Sequence, residues 1–210
     1  MNGESPAASG TIRRGRPPGT SARELELVAL RLFAEKGFED TTVDEIAAGA
    51  GVSRRTFFRY FDTKANVLWS EFDSEVEAIR SLLADSRADL PVLQAVRQAV
   101  LQTNHYRAED VPELRARMKL ISSVPDLAAS AAVHYDAWEQ AIAEFVGRRI
   151  GQPANSLYPL LVGRATLASC RAAYEQWTAL ADADLAYYLD AALQALASGL
   201  SDQALSGNTR

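Results

Sequence analysis

The residues best placed to do chemistry are a row of cations behind a tight turn. Gly51-Val52-Ser53 runs into Arg54, Arg55, Thr56, Phe58, Arg59 and Tyr60, with Lys64 one turn beyond. Guanidiniums at the start of a short helix are the donors that phosphates and base edges require in a DNA major groove. Gly51 supplies a positive φ at little cost. Ala47 is small enough to let two short helices approach, and Ser53 caps the second with its first amides facing outward, toward phosphate. That is the spacing of a helix-turn-helix. A helical hairpin with a solvated basic face has the same spacing, so spacing alone leaves both readings open.

Other chemistries lack their residues. The 210 residues include two histidines, His105 and His134, and one cysteine, Cys170. An internal disulfide and a multi-cysteine zinc site are therefore excluded, and Cys170 reads as a small buried hydrophobe. No H-E-x-x-H, Walker loop or G-x-S-x-G is present. The expectation is a protein that is not an enzyme and carries no metal or cofactor. The alternatives are an all-helical enzyme using a pocket in the body, and a helical adaptor that never touches nucleic acid.

Composition agrees with a soluble globular chain: 48% hydrophobic and 23% charged residues. The longest uncharged run, Ile150 to Gly163, holds two prolines and is shorter than the roughly 20 apolar residues of a membrane span. No apolar segment opens the chain, so a cytoplasmic protein is expected. The net charge of −5 is uneven: residues 11–70 are net +2 and residues 71–210 net −6. An acidic protein with a basic head places one small end on DNA rather than its whole surface.

The elements that must position these residues read as helices throughout. Ser21 with Glu24, and Thr42 with Glu45, are capping boxes opening helices that end near Gly37 and Gly51. Ser53 heads a helix of about two turns. Asp62 or Thr63 starts a long fourth helix, 63–84, with a stripe of Leu68, Phe72, Val76, Ile79 and Leu83. Pro91, Pro112 and Pro125 stand in first turns of helices over 90–105, 112–123 and 125–149. Helices over 155–180 and 184–200 complete about nine. No segment alternates over strand length, so the chain is all-α.

Residues 21–68 resemble the DNA-binding domain of TetR-type transcriptional regulators. The resemblance rests on Ala29-Leu32-Phe33, Gly37-Phe38, Thr41-Thr42-Val43, Ile46-Ala47, Ala50-Gly51-Val52-Ser53, Thr56, Tyr60-Phe61 and Lys64. It implies a three-helix helix-turn-helix DNA-binding domain over 21–66 and a helical ligand-binding and dimerisation domain over 67–204. A basic arm, 1–20, and a tail, 205–210, flank them. Val43, Ile46, Val52, Phe57 and Phe61 would be core. Thr42, Arg54, Arg55, Thr56, Arg59, Tyr60 and Lys64 would face DNA. Phe58 stands where the family usually has Tyr, so a phosphate hydrogen bond is exchanged for packing on a thymine methyl or sugar edge. In the arm, Arg14-Gly15-Arg16-Pro17 resembles an AT-hook core that fits a narrow minor groove. The other reading is a generic arm on phosphates.

Three segments, RRTFFRYF from Arg54, NHYRAEDVPELRARM from Asn104 and AAVHYDAW from Ala131, resemble a narrower branch, the regulators of the mycofactocin system. That resemblance implies a long-chain acyl-coenzyme A as effector. Candidate ligand residues in the body are Phe72, His105, Tyr106, Arg115, Met118, His134 and Trp138, which mix apolar bulk with a few polar groups. Each has a plainer role available: His134 and Trp138 as core, and Arg115, with Arg117 beside it, solvated or paired with Glu109, Asp110 or Glu113. The last two helices carry Leu160, Leu167, Tyr174, Trp177, Leu185, Leu189, Leu196 and Leu200, with Gly163, Ala168, Ala172 and Ala173 leaving room for close approach. They form either an intramolecular core or, as the resemblance implies, half of a four-helix homodimer interface. The implied partners are double-stranded operator DNA, a second copy and a small-molecule effector, without a membrane.

Overall fold

The computed structural model describes residues 21–107, 109–180 and 184–201. The arm arginines Arg13, Arg14 and Arg16 lie outside them. The described residues form nine α-helices, one short 3₁₀ helix and no strand. The expected all-α fold with an N-terminal helix-turn-helix and a helical body is borne out.

Local chemistry explains most helix starts. In α1 (Ala22–Lys36) and α2 (Val43–Gly49) both capping boxes are closed in both directions. In α3 (Arg54–Tyr60) the Ser53 hydroxyl accepts from Thr56 N. Two boundaries differ from expectation. The fourth helix is not continuous: a 3₁₀ turn, Ala65–Leu68, precedes α4 (Ser70–Ala84). The Thr63 hydroxyl does accept from Asn66 N, at 3.2 Å. Val67, Leu68 and Trp69 are all buried, and Trp69, which caps the turn, donates from Nε1 to Ser130 Oγ at 3.0 Å, so the chain leaves the α-helical path where a distant segment holds its side chains. Pro91 is the cap before α5 (Val92–Thr103) rather than a first-turn residue. Pro112 and Pro125 do stand in the first turns of α6 (Val111–Ser123) and α7 (Pro125–Ile150).

Two apolar cores result. One joins α1–α3 and the 3₁₀ turn, and borrows Ile121, Leu127 and Ala131 from α6 and α7. The other is built from α4, α5, α7, α8 (Leu157–Leu180) and α9 (Leu185–Ala197). Phe72 and Tyr135 pack against both. In α8, Gly163 lies so close to α7 that a Cβ there would stand 2.7 Å from the Glu139 carbonyl. The large stripe of the last two helices faces inward: Leu167, Trp177, Leu185 and Leu189 are buried in their own protomer. Leu157, Tyr158, Leu161 and Tyr187 are exposed instead, with Ala168 and Ala172 also at the surface.

Between the two cores lies a buried charge cluster. Arg117 of α6, 6% exposed, reaches Glu26 of α1 at 2.8 Å, Glu113 at 2.9 Å, and Glu71 of α4. Arg23 of α1 lies 2.7 Å from both Glu71 and Glu113. Glu26 is fully buried. Its Oε1 meets Arg117 out of line for a hydrogen bond. Burial pushes the Glu26 carboxyl up to about 7, against the pull of Arg117 and with the push of Glu71.

Glu75, half-buried at the cavity wall, is likewise raised to about 7, by desolvation and the neighbouring Glu71 against the pull of Tyr106 and Arg117. Both groups therefore hold protons in the folded chain that the unfolded chain releases near the ordinary carboxylate value. Their stabilising contribution is complete below that value and is lost as pH rises through about 7. The thermal midpoint is expected to be several degrees higher near pH 6 than near pH 8, and Glu26→Gln is expected to narrow the difference. A wild-type midpoint that is flat over this range contradicts the assignment.

Candidate nucleic-acid interface and effector cavity

The turn between α2 and α3 is set by backbone chemistry. Gly51 has φ +69°, and a Cβ there would meet nothing, so the constraint is conformational rather than spatial. Val52 N donates to Ala47 O at 2.9 Å, which closes the turn. Phe57, fully buried, anchors α3 against Ile46, Ala47 and Phe61. Of the five expected core residues, Ile46, Phe57 and Phe61 are buried, while Val43 and Val52 are partly buried.

This anchoring turns one face of α3 to solvent. Arg54, Arg55, Phe58, Arg59 and Tyr60 are exposed, with Phe58 at 42% and Tyr60 at 39%. Arg54 pairs with Asp44 at 2.9 Å, and its guanidinium lies 5.2 Å from the Phe58 ring centre. Both partners are more than half exposed, so the pair is weak and exchangeable for phosphate. Arg59 lies 5.0 Å from the Tyr60 ring. Arg55 has no ion pair among the described residues. The Thr42 hydroxyl is engaged in its capping box with Glu45, and the Ser53 and Thr56 hydroxyls pair at 3.0 Å.

Lys64 differs from its expected outward placement. Its ammonium is turned inward and donates to the carbonyls of Phe38 at 2.6 Å, Thr41 at 3.0 Å and Glu39 at 3.4 Å. It also lies 4.1 Å from the Phe38 ring centre. In this geometry Lys64 clasps the α1–α2 connection.

The body encloses a cavity of about 270 Å³. Four of the seven expected ligand residues line it: Phe72, Tyr106, Met118 and Trp138. Three do not. His105 is exposed on the loop after α5, where its neighbour Tyr106 takes the inward position. His134 stacks on Trp69, ring centres 4.6 Å apart, and meets Asp73 at 2.8 Å, so its ring is satisfied between helices. Arg115 lies 4.6 Å from the Trp177 ring and donates to the Trp177 carbonyl at 3.3 Å, tying α6 to the end of α8.

Sequence reasoning missed much of the polar lining: Glu75, Asn104, Arg117, Arg171, Tyr174 and Glu175. Tyr106 donates to Glu75, and Tyr174 donates to Asn104 Oδ1 at 2.5 Å. A signal existed for the acids. Glu26 stands at helical spacing from Ala29, Leu30 and Phe33, and Glu75 from Phe72 and Ile79. Each is thus a carboxylate on an apolar stripe.

With this geometry in view, comparison with known proteins is informative. Residues 27–68 match the family described as bacterial regulatory proteins, tetR family, and residues 90–201 match the MftR C-terminal domain. The chain is 34% identical over 188 residues to the mycofactocin biosynthesis transcriptional regulator MftR of Mycobacterium tuberculosis, covering 90% of this chain and 95% of that protein. It is 30% identical over 182 residues to the HTH-type transcriptional regulator TcmR of Streptomyces glaucescens, covering 80% of each. Among solved structures it is similar to the Thermus thermophilus repressor FadR in complex with lauroyl-CoA. That match has a TM-score of 0.55 at 26% identity and covers 86% of this chain and 95% of that one.

The two cations near α3 are separable by experiment. Lys64→Ala strips a charged donor from three carbonyls and is expected to cost roughly 1–3 kcal/mol of stability. Arg55→Ala is expected to stay within about 0.5 kcal/mol of wild type. Denaturant unfolding followed by tryptophan fluorescence measures both, and an unchanged Lys64→Ala midpoint would refute the clasp.

Proposed function

The chain belongs to the TetR family of bacterial transcriptional regulators, and from that premise we propose a cytoplasmic homodimer that reads a pseudo-palindromic operator, represses a mycofactocin-related gene cluster, and leaves its DNA when a small amphipathic molecule fills the body cavity. The matched families and relatives are regulators rather than enzymes. The observation that carries the DNA reading is the exposed face of α3, where Arg54, Arg55, Phe58, Arg59 and Tyr60 surround a helix locked from behind by Phe57.

Residues 21–66 act as the reading head and 67–204 as the sensing and dimerising body, flanked by the arm 1–20 and the tail 205–210. Arg55 and Arg59 reach base edges or phosphates. Arg54 trades Asp44 for a phosphate. Phe58 packs on sugar or a thymine methyl, and Tyr60 contacts the backbone. Thr42, Ser53 and Thr56 flank the groove, and Lys64 acts by holding the head in shape. Arg13, Arg14 and Arg16 add salt-sensitive affinity.

Dimerisation uses the outer faces of α8 and α9. Leu157, Leu161, Ala168 and Ala172 recur at spacings that keep them on one side of α8, with Tyr187 exposed on α9. A stripe with small residues admits a close partner helix. The effector sits among Phe72, Tyr106, Met118 and Trp138. A long-chain acyl-coenzyme A is supported by the apolar lining and by the lauroyl-CoA held by the Thermus relative. Arg117 lines the cavity and is ion-paired to Glu26 of the head, so occupancy and head position share one side chain. Release requires that the effector bind the DNA-incompetent arrangement more tightly; equal affinity shifts nothing.

The test is to recover fragments of sheared source DNA on the purified protein, footprint them, and titrate effectors against the complex. A protected pseudo-palindrome is expected, and no preferred site defeats the regulator reading. Arg55→Ala is expected to weaken operator binding and reduce the salt slope by about 1. Leu161→Glu is expected to sediment as a monomer with operator affinity lost. A Leu161→Glu protein that remains dimeric refutes the interface.

A further inference from the structure

The exposed residues of the lining mark the mouth of the cavity. They are Ser122 of α6, Ala128 of α7, and Arg171 and Glu175 of α8, and the rest of the lining is buried or half-buried. At the inner end the polar groups are spent on one another or on the head. Tyr106 donates to Glu75, Tyr174 to Asn104, and Asn104 gives its amide to the Val100 carbonyl at 2.9 Å. Arg117 is held by Glu26, Glu71 and Glu113. An anionic head at that end meets the Glu75 carboxyl and a guanidinium already paired.

The mouth is different. Arg171 is in no ion pair among the described residues, and its guanidinium lies 5.3 Å from the Tyr135 ring centre. A guanidinium laid on a ring keeps its edge donors free, and that fork matches a phosphate in two parallel hydrogen bonds. Glu175, one turn on, is the acid at the mouth. Lys119, exposed one turn before Ser122, is a second cation outside the lining. Size sets the direction of entry. The cavity holds about 270 Å³, under the roughly 300–1,000 Å³ of clefts that enclose a drug-sized ligand. An apolar chain fits within, and a nucleotide-sized head stays outside.

We propose that Arg171 is the head-group determinant of this site: an acyl chain enters tail first among the rings, and its phosphate-bearing head stays at the mouth, where the Arg171 fork donates to phosphate oxygens. This rests on the reading of the cavity as the effector site, and adds to it the orientation of the ligand and the residue that selects its head. The seat on Tyr135 turns Arg171 toward α7, away from the Ala168 and Ala172 face assigned to the second copy.

Full-length protein titrated with decanoyl-coenzyme A, decanol and free coenzyme A tests this, read by calorimetry and by the fluorescence of Trp69 and Trp138 in the lining. Wild type is expected to hold the ester at least about tenfold tighter than the alcohol, with a preference that shrinks as salt rises. Free coenzyme A, which has no tail, is expected to bind weakly. Arg171→Ala removes most of the ester's advantage, and Arg171→Glu removes more. Lys119→Ala, the control for a general loss of positive charge, has the smaller effect. Melting curves establish that the variants fold, and the wild-type ratio of ester to alcohol and its salt dependence decide the matter if one does not. An ester held no tighter than the alcohol overturns the assignment, as does free coenzyme A bound as tightly as the ester. So does an advantage that survives in Arg171→Ala or falls equally in Lys119→Ala. Ester and alcohol weakened alike by Arg171→Ala mean a structural role and overturn it too. In each of these cases the effector-cavity reading stands if the alcohol or the ester binds. No binding by any of the three overturns both the head-group determinant and the cavity, while the footprint alone judges the regulator reading.

Discussion

One buried guanidinium organises this molecule. Arg117 stands where α1, α4 and α6 converge, and carboxylates from all three surround it. Taking these charges out of water costs several kcal/mol per ion, so the cluster is weak evidence for stability. Its consequence is positional. A buried cation tolerates few arrangements of its partners, because moving one away leaves a charge without water or counter-ion. The head is thereby registered on the body through Glu26 and Arg23, and the same side chain lines the cavity. Any molecule that shifts α6 or α4 must be accommodated by α1.

Around that registration the apolar residues divide labour. The head borrows Ile121, Leu127 and Ala131 from the body to complete its core. Three short helices carry little apolar surface of their own, and small units are hard to stabilise alone. Trp69 closes the seam, with Trp69, Phe72, His134 and Tyr135 packed ring against ring. Three of these rings, Trp69, Phe72 and Tyr135, pack on the head's core and line the cavity as well. At the other end, α8 and α9 spend their heaviest side chains inward and leave a lighter face with Leu161 and Tyr187 outside. That division permits one helix pair to belong to a protomer's core and still offer a surface to a second copy.

The cavity combines an apolar, largely aromatic wall with a polar one. Its apolar side suits any long or aromatic body. Its polar side carries Glu75 and Glu175 with two arginines: Arg117, held in ion pairs, and Arg171, which lies 5.3 Å from the Tyr135 ring centre.

Much of the architecture was legible in the residues. Two capping boxes, Gly51 in the turn, and the apolar stripes predict the helices and the helix-turn-helix, because caps, glycine conformation and 3.6-residue periodicity are local properties. The basic face of α3 was legible for the same reason: burying Phe57 leaves Arg55 and Arg59 outside. Sequence reasoning failed where partners are distant. At the break before α4, Trp69 meets Ser130, 61 residues away. Lys64 turns inward because carbonyls more than 20 residues back converge on it. His134 and Arg115 leave the cavity for Trp69 and Trp177. Glu26 and Glu75 look like ordinary helix acids until packing buries the first fully and sets the second, half-buried, in the cavity wall. The helices, their order and the basic reading face were readable from the residues alone, since each depends on neighbours within a turn or two. Which charges are buried, which polar groups meet in the cavity and which face of α8 is left outside depend on surfaces that packing brings together, and no local pattern records them.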